Sequence, residues 1–232
     1  PFIILWLYSP TFFLFTDFYS STTTIAKSFG LLAILLLSLN IFMSARYKFL
    51  ESLFGGLDWV YTVHSWIGRI AYLFLIFHML LMGFRYWELD PTLVSDFFKQ
   101  TDALYIGLGR LALIVITLAV SVTLFSRMKY EVKKSFHKLV GLGLLIGGAH
   151  AYIAPSDISI LYPLRVYIFS WVVIALLSFI HRSLLGGPLF KRYEYIVKAV
   201  NDLGGQVTEV VLKPRFKGKD VKHIAGQFQF IK

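Results

Sequence analysis

Apolar residues run almost unbroken through six stretches of this chain, roughly residues 1–17, 25–45, 58–84, 103–126, 134–154 and 158–181. A helix needs about 20 residues to cross a hydrocarbon core of ~30 Å. Backbone polar groups in lipid must be satisfied within the segment, so continuous apolar runs of this length are predicted to be helices. Short polar or Gly/Pro-bearing connections separate them, as between antiparallel neighbours in a bundle. Composition points the same way. Of 232 residues, 57% are hydrophobic and 16% charged, against about 45–50% and about 25% in a soluble domain. These proportions leave too little polar surface for a soluble globule, and they exclude disorder. The expected fold class is an all-α membrane protein built as a six-helix transmembrane bundle in a lipid bilayer.

The formal net charge is +10, but its placement speaks for topology. Arg46 and Lys48 follow the second run, Arg127, Lys129, Lys133, Lys134 and Lys138 follow the fourth, and Arg182, Lys191 and Arg192 follow the sixth. The opposite connections hold Lys27, Arg85 and Lys99 among the acids Asp17, Glu88, Asp90, Asp96, Asp102 and Asp157. Short loops rich in Lys and Arg stay in the cytoplasm. The expectation is therefore a multi-pass cell-membrane protein whose basic loops and C-terminal portion are cytoplasmic, with no nucleic-acid partner. The stretch Phe2–Phe15 has neither the basic flank nor the small-residue cleavage site of a signal peptide.

From about Pro188 the pattern changes. Residues 193–200 are β-rich, Asn201-Asp202-Leu203-Gly204-Gly205 is a turn cluster, and residues 207–212 and 228–231 read as further strands. Three strands do not bury a core by themselves. This suggests two parts, a membrane domain over 1–183 and the truncated beginning of a soluble β-barrel over 184–232. The chain is expected to belong to something longer.

Cys is absent, which removes thiolate zinc sites, iron–sulfur clusters, catalytic cysteine and covalent c-type haem. Any metal falls to the histidines or carboxylates. Of six histidines, four lie within two of the apolar runs, His64 and His78 on the third and His137 and His150 on the fifth, while His181 ends the sixth. Intramembrane ionisable side chains are costly and mark function by default. At ~1.5 Å and ~100° per residue, His64 and His78 stand about 21 Å apart on one face of a helix. If the third and fifth spans face each other, His64 meets His137 near the cytoplasmic side and His78 meets His150 near the outer side. Each pair can then clamp one haem iron axially. The thirteen residues between His137 and His150 leave about 140° on an ideal helix, so that span must tighten locally or begin irregularly.

Gly68 and Gly141 each follow an inner ligand by four residues, which offers room for a flat macrocycle or for close helix packing. Arg69 and Arg110 lie within spans and are candidate partners for haem propionates. His181 and His223 are assigned to no iron. Four histidines spread over ~20 Å cannot share one ion, and a proton relay would usually recruit Asp or Glu, which the middle of these spans lacks.

The segment Leu57-Asp58-Trp59-Val60-Tyr61-Thr62-Val63-His64-Ser65-Trp66-Ile67-Gly68 resembles the opening of the third span in the ferric reductase/NADPH oxidase superfamily, as do the His spacings of fourteen and thirteen. Residues 193–232, with Ala225-Gly226-Gln227-Phe228, are similar to the start of that family's ferredoxin-reductase-like FAD-binding β-barrel. The short loops match its prokaryotic members. The resemblance implies two stacked b-type haems, the inner on His64 and His137 and the outer on His78 and His150. It also implies a cytoplasmic dehydrogenase passing electrons from NAD(P)H through FAD to the haems and on to an external acceptor. That acceptor would be O₂, giving superoxide, as in the oxidases; the alternative is a ferric chelate, as in the reductases. The flavin and nicotinamide motifs would follow residue 232, so this stretch alone is expected to bind haem without oxidising NAD(P)H.

The sequence departs from the animal-type oxidases in two places. Met82 stands where they carry an extra His beyond the outer ligand, and the second span has only Arg46, at its cytoplasmic end. Both bear on whether a superoxide-specific pocket is present. From another class, the chain could be a haem-bearing relay subunit without its own dehydrogenase, which the β-rich tail disfavours. Nothing in the sequence indicates regulatory subunits.

Overall fold

A computed structural model describes residues 1–8, 17–92, 94, 103–185 and 194–216. Its helices in chain order are α1 (Phe2–Leu7), α2 (Phe18–Ser44), α3 (Lys48–Phe54), α4 (Leu57–Leu89), α5 (Leu104–Phe125), α6 (Tyr130–His137), α7 (Leu139–Ile153), α8 (Asp157–Ile160) and α9 (Tyr162–Phe179). A π-helical turn, Ile180–Leu184, extends α9. Two strands follow, β1 (Tyr195–Asp202) and β2 (Thr208–Pro214). Residues up to Leu184 form one compact unit and those from Leu185 a second.

Five helical stretches among the described residues are long and apolar enough to span a membrane: α2, α4, α5, α6 with α7, and α9 with its π-helical turn. The expected first span is represented by the six residues of α1; residues 9–16 lie outside those described. The second span begins earlier than its apolar run, because Asp17 caps α2. Its carboxylate accepts from the Ser20 amide at 2.7 Å, and the Ser20 hydroxyl faces the Asp17 amide at 3.3 Å, a reciprocal cap that satisfies two otherwise orphaned donors.

The most buried span is α2. Leu31, Ile34, Leu35, Leu37, Ser38 and Ile41 are all enclosed, and α2 packs on both α4 and α9. On the other side α5 packs against α7, and α7 against α9. Small residues permit the close approaches: a Cβ on Gly143 would run into Ile116, and one on Gly148 would stand 3.3 Å from Val172, the usual device where helices associate in lipid. Between α4 and the α5–α7 pair there is little backbone packing. One tie crosses there, a hydrogen bond from the Tyr72 hydroxyl to Thr117 Oγ1 at 3.2 Å. The result is a slot with α4 as one wall.

The outer face of α4 reports the solvent. Trp59, Trp66, Ile70, Leu73, Phe77, Leu80, Phe84 and Trp87 are all exposed and recur every three, four or seven residues, forming one stripe. Such a patch is untenable in water and normal against lipid. Trp59 and Trp87 are 28 residues apart, or about 42 Å along the helix. That matches the ~40–45 Å between headgroup regions, where tryptophan collects.

The second unit is an antiparallel hairpin pairing Tyr195 with Pro214 through Asp202 with Thr208, with a bulge between Val197 and Ala199. Its turn takes positive φ at Gly204 (77°), Gly205 (61°) and Gln206 (66°), which glycine allows at little cost. The Asp202 carboxylate accepts from the Gly204 amide at 2.9 Å. Both strands run two residues past their expected ends. The third expected strand, 228–231, lies outside the described residues.

Candidate haem-binding slot

Each of the four intramembrane histidines stands opposite the partner expected for it. The ring centroids of His64 and His137 are 6.1 Å apart, and those of His78 and His150 are 6.3 Å apart. A metal–imidazole bond is about 2.0–2.1 Å and the ring centre lies about 1 Å behind its nitrogen, so two imidazoles clamping one metal ion place their centres about 6 Å apart. Both pairs have that spacing.

The other ring nitrogens are committed. His64 Nδ1 donates to the Asn40 carbonyl at 3.0 Å, His78 Nδ1 to the Ala26 carbonyl at 2.8 Å, and His150 Nδ1 to the Tyr105 carbonyl at 2.7 Å. A carbonyl oxygen can only accept, so Nδ1 carries the proton and the neutral ring keeps its Nε2 lone pair for a metal. His137 Nδ1 faces Thr123 Oγ1 at 3.4 Å, and that hydroxyl donates its own proton to the Ala119 carbonyl at 2.7 Å.

The thirteen-residue spacing is accommodated at Lys138. There α6 gives way to α7 through tightened bonds of the i to i+3 kind, from the Lys138 amide to Ser135 O at 3.2 Å and from the Gly141 amide to Lys138 O at 3.0 Å. A 3₁₀ turn winds about 120° per residue rather than 100°. Each such residue adds about 20°, so the join supplies part of the angle that an ideal helix would miss.

Two glycines that sequence reading passed over lie against the outer pair. A Cβ on Gly30 would stand 2.9 Å from His78 Nδ1, and a Cβ on Gly109 would stand 2.9 Å from His150 Nδ1. The geometry is the same on two helices. The ring donates to the carbonyl of residue i (Ala26 or Tyr105) and lies over the missing side chain of residue i+4 (Gly30 or Gly109). Gly68 and Gly141 have different neighbours: added Cβ atoms would stand 2.9 Å from the Asn40 amide nitrogen and 2.6 Å from the Phe179 ring. Their surroundings are those of close helix packing.

A cavity of about 1340 Å³, counted with its open mouth, extends from the outer pair. His78, His150, Gly30 and Gly109 line it, as do apolar Leu31, Ile34, Leu75, Ile116 and Leu144, and Met82. Lys27, Arg85 and Arg110 also line it, placing the candidate Arg110 beside the outer pair. Arg85 Nε donates to the Tyr19 hydroxyl at 2.6 Å. Arg69 is exposed and lies over the Trp66 ring, 5.4 Å from its centre, on the outward side of α4. His181 stacks against Tyr47 at 6.4 Å, and His223 falls outside the described residues.

The donor set fits haem better than a bare ion. Among the described residues no third His, Asp or Glu joins either pair, so a bare ion would have two protein ligands, whereas a porphyrin brings its own in-plane donors. The slot between α4 and α5–α7, with apolar walls and paired imidazoles, suits a flat macrocycle.

Among curated proteins none matches the chain. A family model described as the ferric reductase like transmembrane component matches residues 29–148, a stretch that contains His64, His78 and His137 and stops two residues before His150. With more than half of its length matched, the chain belongs to the ferric reductase like transmembrane family.

Proposed function

We propose that the four imidazoles hold two b-type haems, and that the complete protein carries electrons across the membrane from cytoplasmic NAD(P)H, by way of FAD, to an external acceptor. Bound in these sites, the haems would supply reversible one-electron chemistry. The observation that carries the reading is the double pairing at 6.1 and 6.3 Å, on a helix where the two sites are about 21 Å apart along the axis. Two centres at that separation connect the two sides of a bilayer.

The chain's own contributions follow from the geometry. The Nδ1 hydrogen bonds orient the rings and keep Nε2 available as a donor. His64 with His137, and His78 with His150, would hold one haem between them, each pair giving both of its Nε2 donors to it. Apolar walls exclude water, and burial is one of the levers on potential. Arg110 is the candidate partner for a propionate of the outer haem. The ends of α2, α5 and α9 that carry Arg46, Arg127 and Arg182 are assigned to the cytoplasm by the positive-inside rule, which puts the β1–β2 hairpin there as the opening of the flavin-binding part.

The first-choice acceptor is O₂, with superoxide as product. Lys27, Arg85 and Arg110 around the outer cavity favour the second reading, an anionic ferric chelate, because cations concentrate an anionic acceptor and do nothing for neutral O₂. Acceptor kinetics of the complete protein separate the two. Dye reduction driven by NAD(P)H that superoxide dismutase abolishes supports the oxidase. Dismutase-insensitive reduction of ferric citrate, weakening as salt rises, supports the reductase. No NAD(P)H-driven reduction of either acceptor would overturn both readings.

A further inference from the structure

Three of the four imidazoles donate to main-chain carbonyls at 2.7 to 3.0 Å. The fourth, His137, faces a side-chain hydroxyl at 3.4 Å. The difference is built into α5. The Thr123 hydroxyl proton is spent on the Ala119 carbonyl one turn earlier, at 2.7 Å, so its oxygen can only accept from the ring. At the outer level the same helix offers a bare carbonyl, Tyr105, with Gly109 cleared away above it. The two pairs are therefore unequal. The outer pair has two strong carbonyl acceptors behind it; the inner pair has one carbonyl and one long bond to a hydroxyl.

We infer that Thr123 is a positioning residue that orients His137 and sets the electron-donating strength of the inner pair apart from that of the outer pair. This rests on the reading that the pairs hold haem. A strong acceptor on Nδ1–H pushes electron density onto Nε2, raises ligand basicity and favours the ferric state. The outer centre, with two such acceptors, has the lower reduction potential by this effect. The inner centre has the higher one and depends on the Thr123 oxygen for what donation His137 provides.

The test is a redox titration of the complete protein with wild-type, Thr123→Val and Thr123→Ser chains, with low-temperature EPR of the oxidised samples. Val keeps the shape of Thr and removes the acceptor. The expected result is an upward shift of one of the two midpoints in Thr123→Val, an altered g-value set for one of two low-spin ferric signals, and recovery of both in Thr123→Ser. If Val lowers haem retention by perturbing packing, Thr123→Ala is expected to show the same upward shift without the added methyl. Unmoved midpoints in Val and Ala, or a Ser variant that behaves like Val, would overturn the inference while leaving the haem reading intact. A wild-type protein without haem would overturn the underlying reading, and this inference with it.

Discussion

Replacing His150 by Ala is expected to leave one haem per chain where the unaltered protein holds two, with the bundle still folded. His150 is on α7, and its ring faces the outer partner, His78, at 6.3 Å; the inner pair lies elsewhere, His64 two turns into α4 and His137 at the end of α6. His78→Ala is expected to give the same product. Either variant removes the outer half of the path, so transmembrane electron transfer in proteoliposomes should fall to background while the remaining centre still reduces from the inner side. Pyridine haemochrome analysis per chain and a low-spin EPR signal check the count. Two low-spin haems retained in both variants would contradict the assignment.

The second large effect is expected from a substitution that ordinarily helps a helix. Gly to Ala within a helix stabilises by about 1 kcal/mol. At Gly109 the new Cβ would stand 2.9 Å from His150 Nδ1 and 3.0 Å from its Cε1, closer than such atoms come. The ring cannot simply rotate away, because Nδ1 is tied to the Tyr105 carbonyl at 2.7 Å. Gly109→Ala should therefore displace the imidazole and break that hydrogen bond. Loss of a partner behind a metal ligand typically costs about 10–100-fold in affinity or activity, so the outer haem should be lost or weakly held while helicity and detergent-solubilised size stay unchanged. Gly30→Ala is expected to act likewise through His78. Haem content against circular dichroism separates this from general misfolding, which would lower both.

These two substitutions mark where sequence reading succeeds and where it stops. His64 and His78 are legible because both belong to one span and fourteen residues return to the same helix face. The apolar runs place five spans, with ends within about five residues except the start of α2, which its Asp17 cap moves seven residues earlier, since a buried or lipid-facing helix leaves few polar positions. The glycines under the rings are of another kind. Gly30 and Gly109 lie on α2 and α5, and their relation to His78 and His150 exists only once those helices pack. The sequence instead draws attention to Gly68 and Gly141, four residues after inner ligands, and these turn out to neighbour Asn40 and Phe179.

The join at Lys138 was half legible. The thirteen-residue spacing demands either tightening or an irregular start, and the chain tightens at Lys138, after two turns of α6 that already contain His137. Which bonds tighten depends on φ and ψ at Lys138 (−63°, −22°), which no residue type there dictates. Arg69 reads as an intramembrane cation in need of an anion. On the helix it faces outward and rests on Trp66, an arrangement that lets a long side chain reach the interface. Arg110 reads the same way in sequence, yet it turns toward the cavity.

The most direct test of the account is haem stoichiometry in the purified complete protein. The account predicts a red preparation with two non-covalently held b-type haems per chain, both low-spin, seen in the reduced-minus-oxidised spectrum and released intact into acidified acetone. A colourless preparation, or one haem per chain at saturation, would contradict it.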